Sequence, residues 1–251
     1  MVNLNFDDPA TVRAINNWCS ENTEGKITEI VERLSSDMVM LLVNALYFNA
    51  PWAEAFPEAS TREGLFHAVS GDVKLPMMSK SERLNYVEYQ GCQMVELPYA
   101  DGKYSMTIVV PGGDVDMPTL LDYLGEPIYY SAKSIMKERK VALSLPKFKL
   151  ETTMELNKTL NSMGMRKAFG EGDFSGITRS SVAVDKVVQK CFMEVSEEGT
   201  EAAAVTSIGV RMTALRPSET PVVMRVDKPF FLMIKSTEND NVLFIGRVMN
   251  L

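Results

Sequence analysis

The sequence predicts an α+β domain, and three observations predict it. Strand-like runs recur from Met38 to Val248, several with apolar residues at every second position. Two stretches with helical spacing, one before the first strand and one near the middle, are inserted among the strands. The chain has 251 residues, 45% of them hydrophobic, enough core for one large domain or two small ones, and it shows no internal repeat.

Asp7-Asp8-Pro9 places acids and a proline where a helix begins, and Val12, Ile15, Trp18 and Cys19 continue at helical spacing until Glu21–Gly25 breaks it. Met38–Phe48 is nearly all apolar. It reads as a strand buried on both faces, and its period alone does not separate it from a buried helix. Val95–Leu97 and Tyr104–Val110 are strand-like runs flanking Asp101-Gly102, a hairpin signal, and Pro111-Gly112-Gly113 ends the second. Met117–Leu124 fits a short helix. In Lys140–Leu150, Val141, Leu143 and Leu145 alternate with Ala142, Ser144 and Pro146. Thr153–Met163 has a helical period, with Leu156, Leu160 and Met163 on one side. Val182–Val195, Val222–Arg225, Phe230–Lys235 and Val242–Val248 are further strands.

Composition removes several functions. A net charge of −7 argues against nonspecific nucleic-acid binding, which needs a basic footprint. Cys19, Cys92 and Cys191 are far apart and odd in number, so a disulfide framework is excluded while one bridge is not. With no CxxC and only His67, no structural zinc site is expected. No serine sits in a GxSxG elbow and a lone His67 in FHAV reads as structural, so the chain is not expected to be an enzyme. No run reaches membrane-spanning length, and MVNLNFDDPAT has neither the basic start nor the apolar core of a secretory signal. Seventeen methionines read as fillers of core gaps.

The most informative stretch is Glu197–Thr206, EEGTEAAAVT. On an extended chain Thr200, Ala202, Ala204, Thr206, Ile208, Val210 and Met212 share one face. Glu201, Ala203, Val205, Ser207, Gly209 and Arg211 share the other. A loop has no reason to carry such parity. The pattern makes sense if the segment is an exposed loop in one state and a buried strand in another. Read without its neighbours, the same run is a flexible surface loop.

The ordered segments resemble a serpin from about residue 3 to 251. INNWCSENTEGKITEIV (Ile15–Val31) is similar to the helix and turn crossing the front of the serpin main sheet, and LVNALYFNAPWAEAF (Leu42–Phe56) to the following central strand. LPKFKLETTMELNKTLNSMGMRKAF (Leu145–Phe169), DFSGIT (Asp173–Thr178), VDKPFFLMI (Val226–Ile234) and FIGRV (Phe244–Val248) match further landmarks, and VSEEGTEAAAVT (Val195–Thr206) resembles the hinge of the reactive-centre loop. The resemblance implies a serpin fold, with a large central sheet, additional sheets and packed helices. It covers the C-terminal portion of that fold as one partial domain, 1–251, with the N-terminal helices and two outer strands of the main sheet lacking.

The resemblance further implies a monomeric protease inhibitor that traps its target as a suicide substrate. The loop, about 197–225, is cut, and its hinge, Glu197, Glu198, Gly199, Thr200, Glu201, Ala202, Ala203, Ala204, Val205 and Thr206, inserts as a strand. Counting from Glu197 puts the reactive bond at Thr213-Ala214, with Arg211-Met212 and Met212-Thr213 as alternates. The implied partner is a serine or cysteine endopeptidase of elastase-, subtilisin-, trypsin- or papain-like type. By the same resemblance Glu197 and Lys147 form the pair closing the top of the sheet and Trp52 is its buried tryptophan. Asn44 lies in the sheet opening, where Gln189 stands in place of the family's usual histidine. Outside the family the bland readings are a surface ion pair, core packing and a satisfied amide. No cofactor is implied, and the family's habit points to an extracellular or periplasmic setting. Two other readings stay open: a non-inhibitory binding or carrier serpin, and an inactive truncated remnant.

Overall fold

The computed structural model describes residues 2–112, 126–200 and 219–251. In chain order the elements are α1 (Pro9–Asn22), β1 (Leu41–Tyr47), β2 (Ala50–Pro51), β3 (Arg62–Ala68), β4 (Gly71–Tyr89), β5 (Cys92–Pro98) and β6 (Tyr104–Pro111). They continue with α2 (Glu126–Ile135), β7 (Lys137–Pro146), β8 (Phe148–Glu155), α3 (Asn157–Ser162), β9 (Lys186–Val195), β10 (Gly199–Thr200), β11 (Val222–Arg225), β12 (Phe230–Ser236) and β13 (Val242–Val248). The helix expected at Met117–Leu124 lies outside the described residues. The chain divides into two compact units, one of residues 1–48 and 150–193, the other of 49–149 and 194–251.

In the first unit the Asp8 carboxylate accepts from the Ala10 amide at 2.8 Å and Pro9 opens α1, a charge-capped start. Thr23 closes the helix, its hydroxyl donating to the Cys19 carbonyl and accepting from the Ile27 amide. β1 and β9 are parallel neighbours in register from Leu41↔Lys186 to Tyr47↔Phe192, and β8 pairs with β9. Cys19, Ile27, Ile30, Val31, Val188 and Phe192 form the core beneath α1, joined by Leu41, Val43, Ala45 and Tyr47. Among the described residues, that face of β1 is the better covered one. Leu42, on the other face, is 44% exposed, so the expectation of a strand buried on both faces fails here.

In the second unit eight strands form one sheet among the described residues, in the order β11-β7-β4-β5-β6-β12-β13 with β3 on β4. β6 and β12 are buried on both faces and are mostly apolar, interrupted by the buried polar residues Ser105 and Thr107 in β6 and Lys235 in β12. α2 lays Tyr129 and Ala132 over Val87, Cys92, Met94, Val109, Phe231 and Met233. Within the sheet Lys235, 1% exposed, pairs with Glu96 at 2.8 Å and bonds Tyr129, while Lys133 of α2 bonds Asp240.

Three expectations are corrected. Thr153–Met163 is not one helix: β8 continues to Glu155, and α3 starts at Asn157, whose side chain is fixed to Asp185 and to Val187 of β9. The Asn157 amide donates to the Asp185 carbonyl at 2.7 Å and its oxygen accepts from the Val187 amide at 2.8 Å. The run from Val182 becomes a strand only at Lys186, because the Asp185 carboxylate is engaged by the Val39 and Met40 amides. Methionines are split: Met78, Met94, Met106 and Met224 are fully buried, but Met163 is 78% exposed.

Candidate functional site

The site is built where β9 ends. Val195 leads into a tight turn, Ser196-Glu197-Glu198, and the chain returns as β10. The Ser196 amide donates to the Gly199 carbonyl at 2.9 Å. Gly199 faces Pro51 and Thr200 faces Ala50 on β2, while Thr200 also faces Val195 on β9, all antiparallel. Two residues of the segment with strand parity are therefore strand already, with neighbours on both sides.

Gly199 is dictated by space. A Cβ there would lie 2.3 Å from the Ala50 carbonyl oxygen and 2.6 Å from Pro51 Cα, contacts with backbone that cannot yield cheaply. Thr200 is fully buried. Its hydroxyl lies 2.7 Å from the Tyr99 hydroxyl, and the Tyr99 ring stacks on Trp52 at 4.8 Å between centroids and 12° between planes. Trp52, 3% exposed, donates through Nε1 to the Ser196 carbonyl at 3.0 Å and through its amide to the Glu198 carbonyl at 2.8 Å. The turn is thus held at both ends by one aromatic pair.

Both oxygens of Glu197 are engaged, Oε1 by the Thr61 hydroxyl and Oε2 by the Lys147 ammonium, each at 2.9 Å. Burial pushes this carboxyl up. The Lys147 hydrogen bond, a backbone amide and the Thr61 hydroxyl, aided by the Lys147 charge, outweigh it and hold the group below the usual glutamate range. Tyr99 moves the other way, since burial disfavours the phenolate more than the Thr200 bond favours it.

The structure brings together four of the expected residues in the second unit, namely Trp52, Lys147, Glu197 and Glu198, and sets Gly199 and Thr200 beside them. Asn44 and Gln189 face each other in the first unit, the Asn44 amide donating to Gln189 Oε1 at 3.3 Å. They line a cavity of about 880 Å³ with Leu42, Val187, Phe174 and Ile177. Glu201, Ala202, Ala203, Ala204, Val205, Thr206, Arg211, Met212, Thr213 and Ala214 lie outside the described residues. Sequence reading missed Tyr99, Thr61 and Ser196. Tyr99 stands next to the Asp101-Gly102 turn, where a tyrosine reads as hairpin packing, and only the long-range Trp52–Tyr99 bridge gives it its place. His67 sits on β3, more than half exposed, 2.8 Å from the Asp72 carboxylate across the β3–β4 hairpin. Cys191 is half-buried, and its sulfur accepts from the Gln189 amide. Among the described residues no cluster of three metal-binding side chains occurs, and no helix is long and apolar enough to cross a membrane.

A mixed-sheet fold in which β9 turns back through a buried turn into β10 defines a class of protein, and comparison identifies it. The family model Serpin (serine protease inhibitor) matches residues 1–251, and the chain belongs to the serpin family. It is 37% identical to an uncharacterized serpin-like protein of Thermococcus kodakarensis, over 95% of this chain and 56% of that one. It is 36% identical to Iripin-2 of Ixodes ricinus, over 96% and 62%. Among solved structures it resembles the thermophilic serpin tengpin in its native state, with TM-score 0.85, 32% identity and coverage of 97% and 64%. It also resembles thyroxine-binding globulin in complex with thyroxine, with TM-score 0.85, 26% identity and coverage of 98% and 66%. The chain thus spans between 56% and 62% of the two curated relatives' length. The fold is a serpin fold, and the family holds protease inhibitors as well as this thyroxine-binding member.

Proposed function

We propose that the protein is an inhibitory serpin acting on an endopeptidase in an extracellular or periplasmic setting. The reactive-centre loop is 197–225. A protease attacks within it and forms an acyl-enzyme, and the cut loop enters between β1 and β9 as a new strand. Movement of the loop displaces the bound protease and distorts its active site before deacylation. Backbone pairing and side-chain burial deferred in the uncut state drive the step.

One observation carries this reading. Gly199 and Thr200 are strand already, while the positions that follow on the face of Thr200 are Ala202, Ala204 and Thr206. These first positions are small, and the face as far as Met212 carries no charge and no proline, so continued insertion meets neither the cost of burying a charge nor a missing ladder donor. The direct β1–β9 pairing agrees, since it is the arrangement an inserting strand would part.

The distance from Glu197 favours cleavage at Thr213-Ala214, which suits elastase-, subtilisin- or papain-like enzymes. Cleavage after Arg211 would indicate a trypsin-like target. The test is incubation with a panel of serine and cysteine proteases, followed by denaturing electrophoresis and sequencing of the released fragment. An SDS-stable complex cut near residue 213 is expected. Cleavage in the loop without a complex across the panel would assign the protein to the non-inhibitory members.

A further inference from the structure

We infer that Tyr99 is a positioning residue that pre-seats the hinge residue Thr200, so that strand insertion starts from a nucleus already formed. The inference rests on the inhibitory reading for its consequence, but not for its geometry. Thr200 has no exposed surface and Tyr99 has 1%, so their 2.7 Å hydroxyl pair is shielded from water. A shielded hydrogen bond costs more to break than an exposed one, because each hydroxyl is left desolvated. The Tyr99 ring is itself fixed by stacking on Trp52, whose Nε1 holds the Ser196 carbonyl at the start of the same turn. The aromatic pair therefore sets the spacing between the end of β9 and the first residue of β10.

The consequence is kinetic. Starting a strand fixes several dihedrals before much pairing is gained, while lengthening one adds pairing with each residue fixed. With Thr200 held between β2 and β9, that unfavourable start is complete before any protease arrives. Once the loop is cut, insertion competes with deacylation. A seated start shortens insertion and favours the trapped complex over the released, cleaved loop.

The hydroxyl pair is open to a double-mutant cycle. Tyr99→Phe leaves the Thr200 hydroxyl buried without this bond, and Thr200→Val does the same to Tyr99. The double variant removes both hydroxyls and is expected to recover most of the loss. Thr200→Ser keeps a hydroxyl and serves as the conservative control. Three readouts apply to the whole protein. Hydrogen exchange of the peptide Val195–Thr200 is expected to accelerate about tenfold in either single variant. Trp52 fluorescence, isolated by Trp18→Phe at a half-exposed position, is expected to shift in Tyr99→Phe. The ratio of trapped complex to cleaved loop is expected to fall in both single variants and to return in Thr200→Ser.

Exchange unchanged in both single variants would overturn the seating itself. Faster exchange with an unaltered complex-to-cleavage ratio would overturn the positioning role and leave only a structural bond. If the parent forms no complex with any protease, the inhibitory reading falls, and exchange and fluorescence alone decide the seating. If Tyr99→Phe does not fold, Thr200→Val reads the same bond from its other side.

Discussion

At the scale of single residues, the turn between β9 and β10 depends on Glu197 and Gly199. Glu197 titrates below its ordinary value, so its bonds to Lys147 and Thr61 contribute fully above the unfolded-state pKa, about 4.3, and fade as pH falls through the lower folded value. Lys147 is 43% exposed, so water screens much of the ion pair, and Glu197→Gln is expected to cost only about 1 kcal/mol. Denaturation measured at several pH values should show the variant weaker than the parent at neutral pH and equal to it below the folded pKa. A constant gap down to pH 2 would mean that another interaction was lost. Gly199→Ala should be worse, by about 1–3 kcal/mol, because its Cβ meets the backbone of β2 and the neighbouring strand must shift. Faster exchange at Val195–Thr200 checks it. Much of this was legible in the sequence. The match around Glu197 pointed to the Glu197–Lys147 pair and to buried Trp52, which the structure brings together, while Ala202, Ala204 and Thr206 lie outside the described residues. Thr61 and Tyr99 were not legible, because each acts through a partner about 100 residues or more away in the chain.

At the scale of elements, the strands found correctly in the sequence are those whose two sides differ or whose burial is complete. β7 shows Val141, Leu143 and Leu145 buried in alternation, and β5–β6 join through Gly102 at φ +68° beside Asp101. β4 escaped notice because Lys80-Ser81-Glu82-Arg83 reads as a solvated turn, yet these residues lie in a 19-residue strand whose register is imposed by β7. α2 escaped because Tyr129-Tyr130 favours a strand locally, and only packing on the sheet selects the helix. The Lys235–Glu96 pair belongs to this scale, since it joins β12 to β5 beneath α2. Lys235→Met removes one member of a buried pair and is expected to cost about 3–5 kcal/mol, read as a lowered denaturation midpoint. A cost under about 1 kcal/mol would mean that Glu96 finds another partner or water. The hinge face has a corresponding test. Ala202→Asp places a charge where insertion would bury it, so the loop should be cut at an unchanged rate while the trapped complex is lost. A complex formed as readily as by the parent would show that this face does not enter the sheet.

At the scale of the molecule, the central claim is that the uncut chain has not reached its most stable arrangement. β1 and β9 pair with each other, and under the proposed mechanism the segment after Thr200, whose sequence has strand parity, enters between them. Family membership could be read from the order of several motifs along the chain, and the family model matches over residues 1–251. The proposed metastability is not legible in any one motif, since it is a difference between two whole structures. Melting before and after a single cut in the 201–218 segment measures that difference directly. Insertion worth about 5 kcal/mol would raise the melting temperature by roughly 10–20 °C. A cut chain that melts at or below the temperature of the uncut one would contradict the proposed insertion.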